Sequence, residues 1–132
     1  MFFDTHNHSQ FSFDGEGTTV EKSALAAAEK GFGGICFTDH CDFYVPKMKE
    51  EFEPIVSEVF DVEAQQNEID RVSGLVADGA FGKEASRKFK IFKGIELGLG
   101  EKNHDQTREL LSKHRFDQII ASVHYLEDTD PY

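Results

Sequence analysis

Gly33-Gly34-Ile35-Cys36-Phe37-Thr38-Asp39-His40 begins on two glycines, runs through a short apolar stretch and stops on an acid and an imidazole. A brief apolar run bounded by glycine, with β-branched and aromatic members, is the pattern of a buried strand. Upstream of it, residues 19–30 have helical spacing: Ala24, Leu25, Ala27 and Ala28 favour close packing, and Gly31 supplies a stop. Thr18 and Glu21 form a capping-box pattern at the start of that helix. Before the helix, residues 2–6 read as another short strand, which leads into a polar loop through Gly15-Glu16-Gly17.

Downstream, a loop containing Pro46 precedes an amphipathic stretch in which Ile55, Val56, Val59, Phe60, Ile69, Val72 and Val76 follow helical spacing. Lys90 to Leu97 is predicted as a third strand, Asn103 to His114 as a helix with Leu110 and Leu111 inward, and Asp117 to His124 as a fourth strand. The order βαβαβαβ predicts an α/β fold: a parallel sheet with helices outside it and active groups at the C-terminal ends of the strands. A closed barrel usually needs roughly 250 residues and twice as many βα units. The 132 residues are therefore expected to form a partial barrel of about four βα units.

A chain of this length can bury a real core, and no long polar, Pro-rich or Ser-rich segment suggests a linker, so one domain is expected. The formal charge of −11 disfavours a general nucleic-acid surface, which depends on Lys and Arg. It does not exclude phosphate substrates, because bound dications reverse the local field. Phe2-Phe3 is followed at once by Asp4, so neither a signal peptide nor a membrane anchor is expected, and the cytoplasm is the simplest location. Cys36 and Cys41 are too few for a disulfide framework and are expected to stay reduced; their spacing is a weak zinc signal beside ordinary packing.

The ends of the predicted strands carry the chemistry. Residues two apart on a strand share a face, roughly 6.5 Å apart along the chain, so His6 and His8 can converge on one ion or two adjacent ions; the bland alternative is a pair of solvated histidines. Asp4 points the same way and is placed to orient one imidazole. Ile91, Ile95 and Leu97 alternate away from Glu96 while Gly94 shares its face and leaves room, so Glu96 can bridge two metals; the alternative is a buried glutamate paired with Lys or Arg.

His124 ends a strand in which Ile119, Ala121 and Val123 take one face and Ile120, Ser122 and His124 the other. His40 is a ligand or a satisfied core histidine, and Asp39 beside it is placed to orient an imidazole or hold a metal-bound water. Asp14 is either a turn residue or a hard oxygen ligand. His104 and His114 read as helix-end residues. Phe11, Phe13, Phe32 and Phe37 read as core or pocket wall, and Arg71, Arg87, Arg108 and Arg115 as helix surface.

Asp4-x-His6-x-His8, Thr38-Asp39-His40, Gly94-Ile95-Glu96 and Ser122-Val123-His124, in this order, resemble the PHP (polymerase and histidinol phosphatase) metal-dependent phosphoesterases, most closely the histidinol-phosphatase branch; Asp130-Pro131-Tyr132 fits the same type. The resemblance implies a distorted (β/α)7 TIM-like barrel of which residues 1–132 form the N-terminal portion, apparently truncated. It implies up to three divalent metals (Zn, Mn or Fe), with His6, His8 and Glu96 around one, Glu96 and His124 at a second, and His40 with Asp14 at a third. Glu96, Asp39 and His40 are the residues expected to carry the chemistry. The family's remaining ligands lie beyond the fourth strand, so fewer metals are expected here.

The implied reaction is hydrolysis of a small phosphorylated substrate, L-histidinol phosphate, by water activated between the metals. No nucleic-acid or membrane partner is expected, and the incomplete barrel edge points to self-association. Two other readings share part of this pattern. A TatD-like nuclease or amidohydrolase also begins with His-x-His on a first barrel strand, and a metal-binding or interaction module can keep such ligands without turnover.

Overall fold

The computed structural model describes residues 1–43, 58–98 and 103–124. Pro46, Ile55, Val56 and the Asp130-Pro131-Tyr132 motif lie outside the described residues. The elements are β1 (Phe3–Asn7), α1 (Val20–Glu29), β2 (Gly34–Phe37), β3 (His40–Asp42), β4 (Glu58–Val59), α2 (Val62–Ala77), α3 (Ala85–Lys88), β5 (Lys90–Gly98), α4 (His104–Lys113) and β6 (Gln118–Ser122).

β1 pairs with β2, β2 with β5, and β5 with β6, all parallel. β2 and β3 follow one another along the same edge of β5: Gly34 to Phe37 pair with Lys90 to Lys93, and His40 and Cys41 pair with Glu96 and Leu97. The result is a parallel half-barrel with the expected consecutive strand order. The short β4, antiparallel to β3, was not legible in the sequence, because two or three residues carry no periodic signal.

The described part of the expected 55–76 stretch forms β4, with Val59 exposed, and α2, whose buried residues Ile69, Val72 and Val76 follow the helical period. Asp61 caps α2 by accepting from the Ala64 N–H. The start of α1 differs from expectation by one residue. Thr19, in extended backbone, is the cap and accepts from the Lys22 N–H, whereas the Thr18 hydroxyl donates to the Gly15 carbonyl at 2.8 Å. Gly31 at φ +79° ends α1 as expected, with the Phe32 N–H donating to Ala27 O and the Gly31 N–H to Ala28 O.

One core lies between α1, α2 and the sheet, centred on Val20, Ala24, Ile35, Phe37, Ile69 and Val72. A second, around Cys41, Phe60, Val62, Ile95 and Leu97, receives Leu110 and Leu111 of α4. Ile95 and Leu97 thus face the helices and leave Gly94, Glu96 and Gly98 on the opposite face of β5. Among the described residues no helix is long and apolar enough to cross a membrane.

Candidate metal centre

In-register parallel pairing brings the C-terminal ends of the strands to one level. His40 is opposite Glu96, and Gly98 is opposite Ser122. His6 approaches from β1, His8 from just beyond it, Asp14 from the loop that follows, and His124 from just beyond β6. Together they surround a cavity of about 330 Å³ lined by His6, His8, His40, Glu96, Ser122, Val123 and His124.

Glu96 is the hub. Its Oε2 lies 3.0 Å from His6 Nε2 and 3.0 Å from His8 Nε2, and those two nitrogens are 3.2 Å apart. Its Oε1 accepts from Ser122 Oγ at 2.6 Å and lies 3.1 Å from His124 Nε2. Burial alone would push this carboxyl up, but the contacts with Ser122, His124 and His6 and the charge of His40 overcome it and hold the pKa down at about 2.

His124 is held from behind by Asp42, both of whose carboxylate oxygens lie 2.9 Å from Nδ1. That contact, first, raises the imidazole to about 9 against the opposing effect of burial. The approach depends on Gly98: a Cβ there would collide with Asp42 Oδ1 and sit 3.0 Å from His124 Nδ1. His40 behaves differently. Burial pushes its pKa down, and its buried Nδ1 has no hydrogen-bond partner, standing 3.6 Å from Glu96 Oε2.

Asp14 Oδ2 lies 2.7 Å from His8 Nδ1 and 3.5 Å from His40 Nε2, while its Oδ1 accepts from Ser12 Oγ. Its pKa is lowered: burial works upward, and the bonds to Ser12 and His8 outweigh it. Asp14, not Asp4, is the acid on His8. Consecutive turns shape this loop, with the N–H groups of Ser12, Gly15 and Thr18 donating to the carbonyls of Ser9, Ser12 and Gly15. A Cβ on Gly15 would collide with the Ser9 carbonyl, so only glycine fits there.

His6, His8, Asp14, His40, Glu96 and His124 therefore converge, in three overlapping groups: His6–His8–Glu96, His8–Asp14–His40 and His40–Glu96–His124, each with ligand atoms within 4.8 Å of one another. Asp39 does not join them. Its fully buried carboxylate turns away and accepts from the Ser9 N–H, Ser9 Oγ and Gln65 Nε2. The expectation that Asp39 orients an imidazole is corrected: Asp42 contacts His124, and its place on the His40 face of β3 follows from strand alternation. Ser122, on the His124 face of β6, is the other contributor that the sequence reading left without a role. His104 starts α4 and His114 follows it; neither joins the cluster.

The donor set fits divalent metal ions. A neutral imidazole has one donor and one acceptor nitrogen, yet His8 presents both nitrogens to carboxylates. The Nδ1 of His40 is buried without a hydrogen-bond partner. Ligand-to-ligand spacings of 3.0–3.2 Å among His6, His8 and Glu96 match the edges of a shell with bonds of about 2.1 Å, which run from about 3.0 to 3.4 Å.

Comparison with known proteins agrees with this geometry. Residues 4–132 match the PHP domain family. The whole chain is 33% identical to the probable histidinol-phosphatase of Clostridium acetobutylicum and covers 43% of that protein. Over 129 residues, 98% of this chain, it is 33% identical to the histidinol-phosphatase of Lactococcus lactis subsp. lactis, covering 41% of it. The crystal structure of a histidinol phosphate phosphatase from that Lactococcus, complexed with zinc, L-histidinol and phosphate, matches with a TM-score of 0.75 at 30% identity, covering 99% of this chain and 43% of that one. The chain thus spans about two fifths of the length of these relatives.

Proposed function

Because the chain belongs to the PHP domain family, we propose that it forms part of a metal-dependent phosphate monoester hydrolase that converts L-histidinol phosphate and water to L-histidinol and phosphate, a step of histidine biosynthesis. The observation that carries this reading is the Glu96 carboxylate, with His6 and His8 on one oxygen and His124 and Ser122 on the other.

His6, His8 and Glu96 would hold one cation, His40, Glu96 and His124 a second, and His8, Asp14 and His40 a third. Mixed nitrogen and oxygen donors suit zinc, manganese or iron, and zinc is favoured because the Lactococcus structure contains it. Divalent ions supply a lowered pKa for water and positive charge against the phosphoryl oxygens. The chain's own residues set the geometry. Asp42 accepts the Nδ1 proton of His124 and so aims its Nε2 inward, where it would serve a bound ion once its proton is released, and Ser122 fixes the rotation of the Glu96 carboxylate. The cavity falls within the roughly 300–1,000 Å³ of small-molecule sites.

The remaining ligands of the family pattern are proposed to come from polypeptide beyond these strands, in keeping with the greater length of the relatives. Exposed apolar residues on the outer strands, Phe3 and Ile119, support self-association along them, which sedimentation velocity measures. The two free cysteines support a cytoplasmic setting.

A metal-binding module without turnover is the second reading. It is favoured by the half-exposed His6 side chain, which leaves the centre open on the β1 side. Phosphate release from L-histidinol phosphate with added zinc or manganese separates the two. Turnover that requires metal and disappears in Glu96→Gln supports the hydrolase, whereas tight metal without release supports the module. Activity confined to DNA or cyclic amides overturns both.

A further inference from the structure

Three polar side chains lie behind the centre and belong to none of its ligand groups: Ser9, Asp39 and Gln65, each 0% exposed. Asp39 Oδ1 accepts from the Ser9 N–H at 2.5 Å, and Oδ2 accepts from Ser9 Oγ at 2.8 Å and Gln65 Nε2 at 2.6 Å. The same Gln65 amide faces Phe37 O at 3.5 Å and Gly94 O at 3.4 Å. One side chain of α2 thereby reaches β2 just before His40, β5 just before Glu96 and, through Asp39, the residue that follows His8.

Gln65 sits on the buried face of α2 with Val62, Ile69, Val72 and Val76. An amide there is an expensive choice, since its Oε1 is buried without a hydrogen-bond partner. What the amide does, and an apolar group does not, is donate to Asp39. Asp39 then keeps the Ser9 turn seated against the end of β2, where His8 and His40 rings stand 4.4 Å apart.

We propose that Gln65 is a positioning residue of the metal centre: with Asp39 and Ser9 it clamps the end of β1 to the end of β2 and so sets the spacing of His8 and His40. This rests on the metal-binding part of the proposed function. The clamp acts through these two ligands and touches no substrate. Its contribution is to metal affinity, in addition to the stability that a hydrogen bond to a buried carboxylate supplies.

The test uses Gln65→Met, which keeps the length and apolar burial of the side chain, and Ser9→Ala, which removes one donor. Zinc affinity is measured by competition with a chromophoric chelator, and the melting temperature of the zinc-free protein by circular dichroism. Both variants are expected to bind zinc about 10- to 100-fold more weakly, the usual effect of removing a group that orients a ligand. The zinc-free Gln65→Met protein is expected to melt below the wild-type temperature, because the buried Asp39 carboxylate loses a donor, so the discriminating readout is zinc affinity.

A purely structural role for Gln65 gives a lower melting temperature with unchanged zinc affinity, and that result overturns the proposal. A second readout needs no metal: with nitrogen-15 histidine, the imidazole signals of His8 and His40 should move in Gln65→Met while that of His114 stays. Wild-type signals at His8 and His40 also overturn it. If the wild-type chain takes up no zinc, the proposed function is what fails, and the imidazole spectra alone then decide whether the clamp exists.

Discussion

Gly98→Ala places one methyl group between Asp42 and His124. In the wild type both Asp42 oxygens lie 2.9 Å from His124 Nδ1, and a Cβ on residue 98 would overlap Asp42 Oδ1 and stand 3.0 Å from that same nitrogen. The carboxylate must retreat by more than about 1 Å to reach van der Waals separation, but Asp42 is only 2% exposed and has little room. Forcing a methyl into such a site costs about 1–3 kcal/mol, and losing a hydrogen bond to a charged group about 1.5–3 kcal/mol. Because relief of one partly relieves the other, about 2–4 kcal/mol is expected for the metal-free protein. That corresponds to a fall in melting temperature on the order of 10 °C for a domain of this size.

Loosening His124 should also weaken zinc binding about 10- to 100-fold. The assay is thermal melting by circular dichroism together with chelator competition, on Gly98→Ala, Asp42→Ala and the double variant. With Asp42 truncated the added methyl meets only the edge of His124, so the double variant should lose far less relative to Asp42→Ala than Gly98→Ala loses relative to wild type. Fully additive losses, or a Gly98→Ala protein with wild-type melting and zinc affinity, would refute the reasoning that Gly98 exists to admit Asp42.

Burial pushes the Cys36 and Cys41 thiols up to about 12, aided by the nearby charges of Asp117 and Asp42 respectively. Both should resist thiol reagents in the native protein at neutral pH and react once urea unfolds it; prompt labelling of the native state would contradict their burial. Thr19→Ala removes the hydroxyl that accepts from the Lys22 N–H and should lower stability by about 1 kcal/mol, read from the urea midpoint. An unchanged midpoint counts against Thr19 as the cap.

Arg71 joins α2 to α1 through Glu68 and Glu21, and its hydrogen bond, ahead of its charge, holds the Glu68 carboxyl below the ordinary range. A carboxyl whose folded pKa is depressed contributes stability above its unfolded pKa and loses it as pH falls through the folded value. Arg71→Ala should therefore be slightly less stable than wild type at neutral pH, with the gap closing in acid. Equilibrium unfolding at several pH values measures it, and a gap that persists unchanged in acid rejects the ion pair as its source.

Much of the fold was readable because its signals are local. Strand alternation separates Ile95 and Leu97 from Glu96 within three residues, and helical spacing marks Ile69, Val72 and Val76 within two turns. The combination of His6, His8, His40, Glu96 and His124 at strand ends was equally plain, since a parallel α/β sheet gathers such ends at one level. Within that cluster the ambiguity concerned which acid serves which imidazole. Asp14 and Asp4 are both close in sequence to His8, and Asp39 and Asp42 both close to His40.

That choice belonged to the tertiary structure. Asp39 is drawn away from the centre by Gln65, which arrives from a helix 26 positions further along the chain, and Asp42 is admitted by a side chain missing from Gly98 on the neighbouring strand. By itself the sequence determined the alternation of strands and helices, the inward face of β5 and the imidazoles and carboxylate of the centre, because periodicity and residue type are written in adjacent positions. Strand register and the space left between elements decided the supporting bonds, because a hydrogen bond at 2.6 or 2.9 Å depends on where two distant segments come to rest.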